Sequence, residues 1–112
     1  EAVSAVVSGL ASVEDVDTAI SAGPGLRWAA MGPHMTFHLG GGEGGIEHML
    51  AQFKPAFESW WETMTTPELS EENRRKIIEG VHAEAAGRSM ADLVADRDSV
   101  LLPLLELVSK QR

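Results

Sequence analysis

Between Ile46 and Met64 the chain carries an unbroken apolar stripe: Ile46, Met49, Leu50, Phe53, Phe57, Trp60, Trp61 and Met64. Steps of three and four residues put all eight on one side of an α-helix, and they fit no strand, whose faces alternate every second residue. The stripe reads as core, with adjacent Trp60 and Trp61 diverging by about 100°, so that one faces the core and the other a neighbour. Pro55 lies on the opposite, polar face, where it removes one backbone donor and predicts a kink near Gln52–Phe53.

The same period runs through the rest of the chain. Val3, Val6, Val7 and Leu10 mark a first helix over residues 1–10. It opens in helical pattern without Met or a cap, which reads as a trimmed start. Ser12 with Asp15 forms a variant capping box for a second helix carrying Val13, Val16 and Ile20, and Gly23-Pro24-Gly25 stops it. A short helix follows at about 26–31. Gly32 breaks it, and Pro33 suits the first turn of another that ends near Leu39. Ser70 with Asn73 opens a helix to Ala86, ended by Gly87. Ser89 with Asp92 caps the last, where Met90, Leu93, Val94, Leu101, Leu104, Leu105 and Val108 share a face and Pro103 adds a bend. No segment sustains strand alternation. The expected fold is all-α, a compact multi-helix domain of five to seven helices, and at 112 residues it is long enough to bury a core.

Charge and composition narrow the function. Nine basic residues against 17 acidic ones give a net charge of −8, which repels phosphate backbones and argues against nucleic acid as a partner. No apolar run approaches the ~18 residues of a membrane span. Cysteine is absent, so there is no disulfide frame and no thiolate site. This fits a reducing compartment, and a cytoplasmic location is expected.

Four features invite chemistry. Gly40, Gly42 and Gly45 satisfy G-x-G-x-x-G, and Met35–Leu39 before them could pass for a strand. Pro33 at its start, Glu43 inside the loop and the missing second strand favour an interhelical connection over a dinucleotide site. His34 and His38, at i and i+4, have a spacing that can grip zinc, with His48, Glu43 and Glu47 nearby. Without a clear third ligand they read as ordinary polar residues, and no metal is expected. Arg97 falls on the apolar stripe of the last helix and favours a structural ion pair. Arg27-Trp28, between two glycine–proline breaks, is the best ligand candidate. A guanidinium holds a carboxylate bidentately, and an indole face attracts a quaternary ammonium.

The stretch Val13-Glu14-Asp15-Val16-Asp17-Thr18-Ala19, then Gly23-Pro24-Gly25-Leu26-Arg27-Trp28-Ala29 and Met31-Gly32-Pro33, resembles the C-terminal domain of the 3-hydroxyacyl-CoA dehydrogenase family. There an acidic helix leads through a glycine turn to an M-G-P step. The resemblance covers essentially the whole chain. The G-P-G-L-R-W-A form, and Phe37-His38-Leu39 ahead of the glycine cluster, resemble the branch holding carnitine 3-dehydrogenase and lambda-crystallin, an L-gulonate 3-dehydrogenase. Fatty-acyl members close with G-K-K-[TS]-G-x-G-[FY], where this chain has Gly87-Arg88-Ser89 and a further helix.

The resemblance implies an N-terminal Rossmann domain that binds NAD, a His–Glu dyad in which the His is general base, and an Asn on the first helix of the C-terminal domain. This chain is expected to start after all of them. Residues 1–112 would then be a substrate and dimerisation domain, closing one wall of a small-hydroxyacid cleft and making most of a homodimer interface. Taken alone it is expected to bind no NAD and to be inactive. Trp28, Met31 and Phe37 are expected to line the cleft, with Arg27 as a carboxylate clamp or an ion pair to an acid across the domain. The alternative is a free-standing helical interaction module.

Overall fold

Ser12 opens the second helix. Its hydroxyl accepts the Asp15 N–H (3.0 Å) while the Asp15 carboxylate takes the Ser12 N–H, so two orphan donors are satisfied reciprocally. In the computed structural model, which describes residues 1–111, this box starts α2. The described elements are α1 (Ala2–Val7), α2 (Val13–Ala22), α3 (Pro24–Ala30), α4 (Gly32–Gly40), a 3-10 turn (Gly42–Gly44), α5 (Gly45–Glu62), α6 (Glu71–Ala85) and α7 (Met90–Ser109). The fold is all-α, and there is no strand among the described residues. Met35–Leu39 lies inside α4, so the segment that could pass for a strand is helical.

Local chemistry accounts for the boundaries. Pro24 and Pro33 sit in the first turns of α3 and α4, where no backbone donor is needed. The Ser70 hydroxyl caps α6 by accepting the Asn73 N–H, and Ser89 and Asp92 form a second capping box on α7. Helix α6 stops in the left-handed pair Ala86 (φ 53°) and Gly87 (φ 77°). Helix α5 runs through Pro55 as one element.

Neighbouring helices lie side by side: α4 against α5, α3 against both α2 and α4, and α6 against α1 and α2. The tightest crossing is α2 on α6, where Gly80 meets Val13 so closely that a Cβ on Gly80 would lie 2.9 Å from the Val13 Cβ. Val13, 8% exposed, is the one buried large apolar residue among those described. The molecule measures 48 × 39 × 16 Å, a thin plate. Its radius of gyration is 17.7 Å, against roughly 13 Å for a spherical domain of this length. Its accessible surface is 8662 Å², where about 6,000 Å² is usual for this mass.

The plate corrects the reading of the α5 stripe and of a buried core. Leu50, Phe53, Trp60, Trp61 and Met64 are exposed, Trp61 by 62%, and only Ile46, Met49 and Phe57 of the eight are half-buried. The stripe is apolar on one side as its period requires, but the single layer places no second layer of helices opposite it. Arg97 does form an ion pair, with its neighbour Asp98 at 2.9 Å, but at the surface rather than in a core. Such a pair contributes little to stability.

Candidate functional site

The α3–α4 corner presents the four residues singled out from sequence. A Cβ on Gly23 would lie 2.7 Å from the Ala19 carbonyl oxygen, and one on Gly25 2.8 Å from that of Ile20. Only glycine lets the chain fold back onto α2 this tightly, and the turn fixes the direction of α3. Arg27 and Trp28 follow within that helix, both exposed, Trp28 by 47%. Their side chains diverge by about 100°. Among the described residues Arg27 has no ion pair and Trp28 no aromatic partner. Met31 is the half-buried link to α4. Phe37, on α4, turns toward α5, its ring 5.5 Å from that of Phe57.

Phe57 is the hub of an aromatic cluster. Phe53 lies 6.1 Å from it, Trp60 packs edge-on at 5.7 Å, and Trp61 stacks at 6.2 Å with 16° between the planes. The cluster ties Phe37 to the α5 stripe, while Trp28 stands on a different helix. Leu26 and Ala30, one turn apart on α3, face a cleft of about 490 Å³ shared with Leu104, Leu107 and Val108 of α7. Trp28 lies about 200° around the helix from Leu26 and so points away from that cleft.

Two arrangements escaped the sequence. The Nδ1 of His38 accepts the Ile46 N–H at 3.0 Å, so a side chain of α4 caps the first turn of α5. Its ring covers Gly45 (φ 61°), where a Cβ would come within 2.6 Å of the His38 Cε1. Sequence offers only a His eight residues ahead of a helix start, which is no signal in itself. The second is the carboxylate pair Asp17 and Glu84, facing each other where α2 crosses α6. The Glu84 carboxyl is held above the ordinary carboxylate value. Its hydrogen bond with Asp17 is the main cause, followed by desolvation and the charges of Asp17 and Glu14, with Arg88 pulling the other way.

The glycine cluster does not fit a dinucleotide. It joins two helices through a 3-10 turn, and a pyrophosphate cradle needs a strand before it and open backbone donors. Here the Ile46 donor is taken by His38, the Gly41 Cβ direction is filled by the Gly45 carbonyl, and Glu43 sits in the loop. No group of three or more potential metal-ligating side chains occurs among the described residues.

Residues 1–82 match the family described as 3-hydroxyacyl-CoA dehydrogenase, C-terminal domain. The chain belongs to this family. Three proteins named L-carnitine dehydrogenase are among its relatives. That of Streptomyces coelicolor is 47% identical over 98% of this chain and 35% of its own length. That of Oceanobacillus iheyensis is 46% identical over 96% of the chain and 35% of its own length, and that of Bacillus cereus 44% over 98% and 34%. The chain therefore spans about a third of the length of these curated relatives. As a 3-hydroxyacyl-CoA dehydrogenase C-terminal domain, it carries helix α7 beyond the residues that the family model matches, yet within the stretch shared with the L-carnitine dehydrogenases.

Proposed function

We propose that this chain is the C-terminal helical domain of an NAD-dependent 3-hydroxyacid dehydrogenase whose substrate is L-carnitine. The observation that carries the reading is the identity of 47% along nearly the whole chain to one third of an L-carnitine dehydrogenase. The plate-like fold agrees with it, since a single layer with its apolar residues uncovered suits part of a larger body better than a free-standing interaction module. No helix among the described residues is long and apolar enough to cross a membrane, and the proposed setting is the cytoplasm.

In this reading NAD is held by a Rossmann domain elsewhere in the longer protein, because the glycine cluster here does not suit it. The chain supplies one wall of the substrate cleft and a surface for a second copy. Carnitine has a carboxylate and a trimethylammonium at opposite ends of a short chain. The ammonium donates no hydrogen bond, so an aromatic wall is its natural partner, at roughly 0.5–2 kcal/mol for a good face. Trp28, with Met31 and Phe37, is assigned to that wall, and Arg27 to the carboxylate.

The test is NADH formation by the longer protein with L-carnitine, L-gulonate or a 3-hydroxyacyl-CoA, alongside calorimetry of NAD on the 112-residue chain. Turnover of L-carnitine and no NAD binding by the chain alone are expected. Turnover of only the acyl-CoA would move the protein to the fatty-acyl branch, and turnover of none would end the reading.

A further inference from the structure

Five of the six residues from Gly40 to Gly45 are glycine, so the link between α4 and α5 puts little restraint on how the two helices meet. Something else must fix their register. Helix α5 begins at Gly45 with Gly44 ahead of it, a position with no side chain to cap the first turn. The acceptor comes from α4 instead. His38 Nδ1 takes the Ile46 N–H at 3.0 Å, the one side-chain hydrogen bond that joins α4 to α5 among the described residues. The His38 ring lies against Gly45, where any side chain would displace it. Farther along the same seam a Cβ on Gly40 would meet the Met49 Cε at 2.9 Å, and the Phe37 ring rests on that of Phe57 at 5.5 Å. Phe37 and His38 are consecutive residues of α4, so the bond that His38 makes also sets where the Phe37 ring stands. That ring, backed by Phe57, keeps 39% of the residue's surface open.

We propose that His38 is a positioning residue for the substrate wall: its bond to Ile46 fixes α4 against α5 and so holds the Phe37 ring where a trimethylammonium meets it. The inference rests on the proposed function, in which Phe37 belongs to that wall. A cation is attracted to a ring only within about 6 Å of the centroid, so a helix that rocks by a few ångströms loses the contact. The aromatic support of Phe37 is on α5, where Phe57 is itself packed by Phe53, Trp60 and Trp61, while Phe37 rides on α4. His38 couples the two helices at the end where the chain between them is least restrained. Adjacent helical residues diverge by about 100°, and the His38 ring is turned to the glycine link, so it acts through Phe37. The effect falls on substrate binding rather than on the chemical step. Its size is bounded by the equilibrium factor that a lost helix cap represents, about five-fold.

The test is steady-state kinetics of the longer protein with L-carnitine and NAD, with helical circular dichroism of every variant. His38→Ala and His38→Leu both remove the acceptor, and both residues favour a helix, so α4 keeps its propensity. His38→Asn keeps an acceptor. Phe37→Ala, alone and combined with His38→Ala, completes a double-mutant cycle. The expected result is a two- to five-fold rise in the KM for L-carnitine in His38→Ala and His38→Leu, with kcat and the KM for NAD near the parent values. His38→Asn is expected to restore most of the carnitine KM, and His38→Ala to add nothing once Phe37 is alanine. An equal rise in the Phe37→Ala background means that His38 does not act through Phe37 and overturns the proposal. So does a carnitine KM unchanged in both His38→Ala and His38→Leu while Phe37→Ala raises it, and that result leaves the wall assignment intact. Failure of His38→Asn to restore the KM, or a parallel rise in the KM for NAD, marks a general disturbance and also overturns it. An unchanged carnitine KM in Phe37→Ala removes Phe37 from the wall and this inference with it, and a parent that does not turn over L-carnitine ends the wider reading as well.

Discussion

Gly80→Ala isolates the contact on which the α2–α6 crossing depends. In an exposed helix interior, alanine in place of glycine gains about 1 kcal/mol of helix propensity. Here the added Cβ would meet the Val13 Cγ2 far inside contact distance and the Val13 Cβ at 2.9 Å. Valine is branched at Cβ and restricted in χ1, so it cannot swing aside as a long side chain would. Forcing a methyl into such a contact costs about 1–3 kcal/mol. The net expectation is a loss of about 1 kcal/mol, or about 4 °C in Tm for a chain of this size.

Thermal and urea unfolding by circular dichroism would measure this, with Val13→Ala as the second arm of a double-mutant cycle. Val13→Ala alone costs about 1–2 kcal/mol through lost burial and the small cavity left behind. In that background Gly80→Ala becomes neutral or stabilising, because the methyl now has space. A coupling of about 1–2 kcal/mol is therefore expected. If Gly80→Ala stabilises the unsubstituted chain by its full propensity gain, the crossing is not close-packed and the reasoning is wrong.

Three further predictions concern single side chains. His38→Ala removes the cap on Ile46 and is expected to cost about 1 kcal/mol and speed amide exchange at Ile46, whereas His38→Asn keeps an acceptor at the same reach and restores most of the protection. Glu84→Gln tests the carboxylate pair. A carboxyl raised in the folded state stabilises at low pH and loses that contribution as pH rises through its folded value, so the variant should match the parent in acid and exceed it in Tm at neutral pH. Equal Tm values across the range would remove Asp17 as the perturbing partner. In the longer protein, Trp28→Ala should raise the KM for L-carnitine several-fold and leave NAD affinity near the parent value. Unchanged carnitine kinetics would make Trp28 a packing residue.

Much of this molecule was legible along the chain. The capping boxes at Ser12 and Ser89, the prolines that open α3 and α4, and the three- and four-residue apolar steps act within one or two helical turns, so the residues that decide them are near neighbours. The family resemblance rested on the same contiguous stretch, from Val13 to Pro33, and residues 1–82 match that family. Only the tertiary structure decided which apolar residues are covered. The period of α5 requires one apolar face but says nothing about what lies opposite, and the single layer leaves Trp60 and Trp61 in the open. It also decided that Gly80 is the space into which Val13 fits, that Asp17 meets Glu84, and that His38 reaches across the glycine turn to Ile46. These pairs depend on how helices cross and how tightly the chain turns back, which no local pattern encodes.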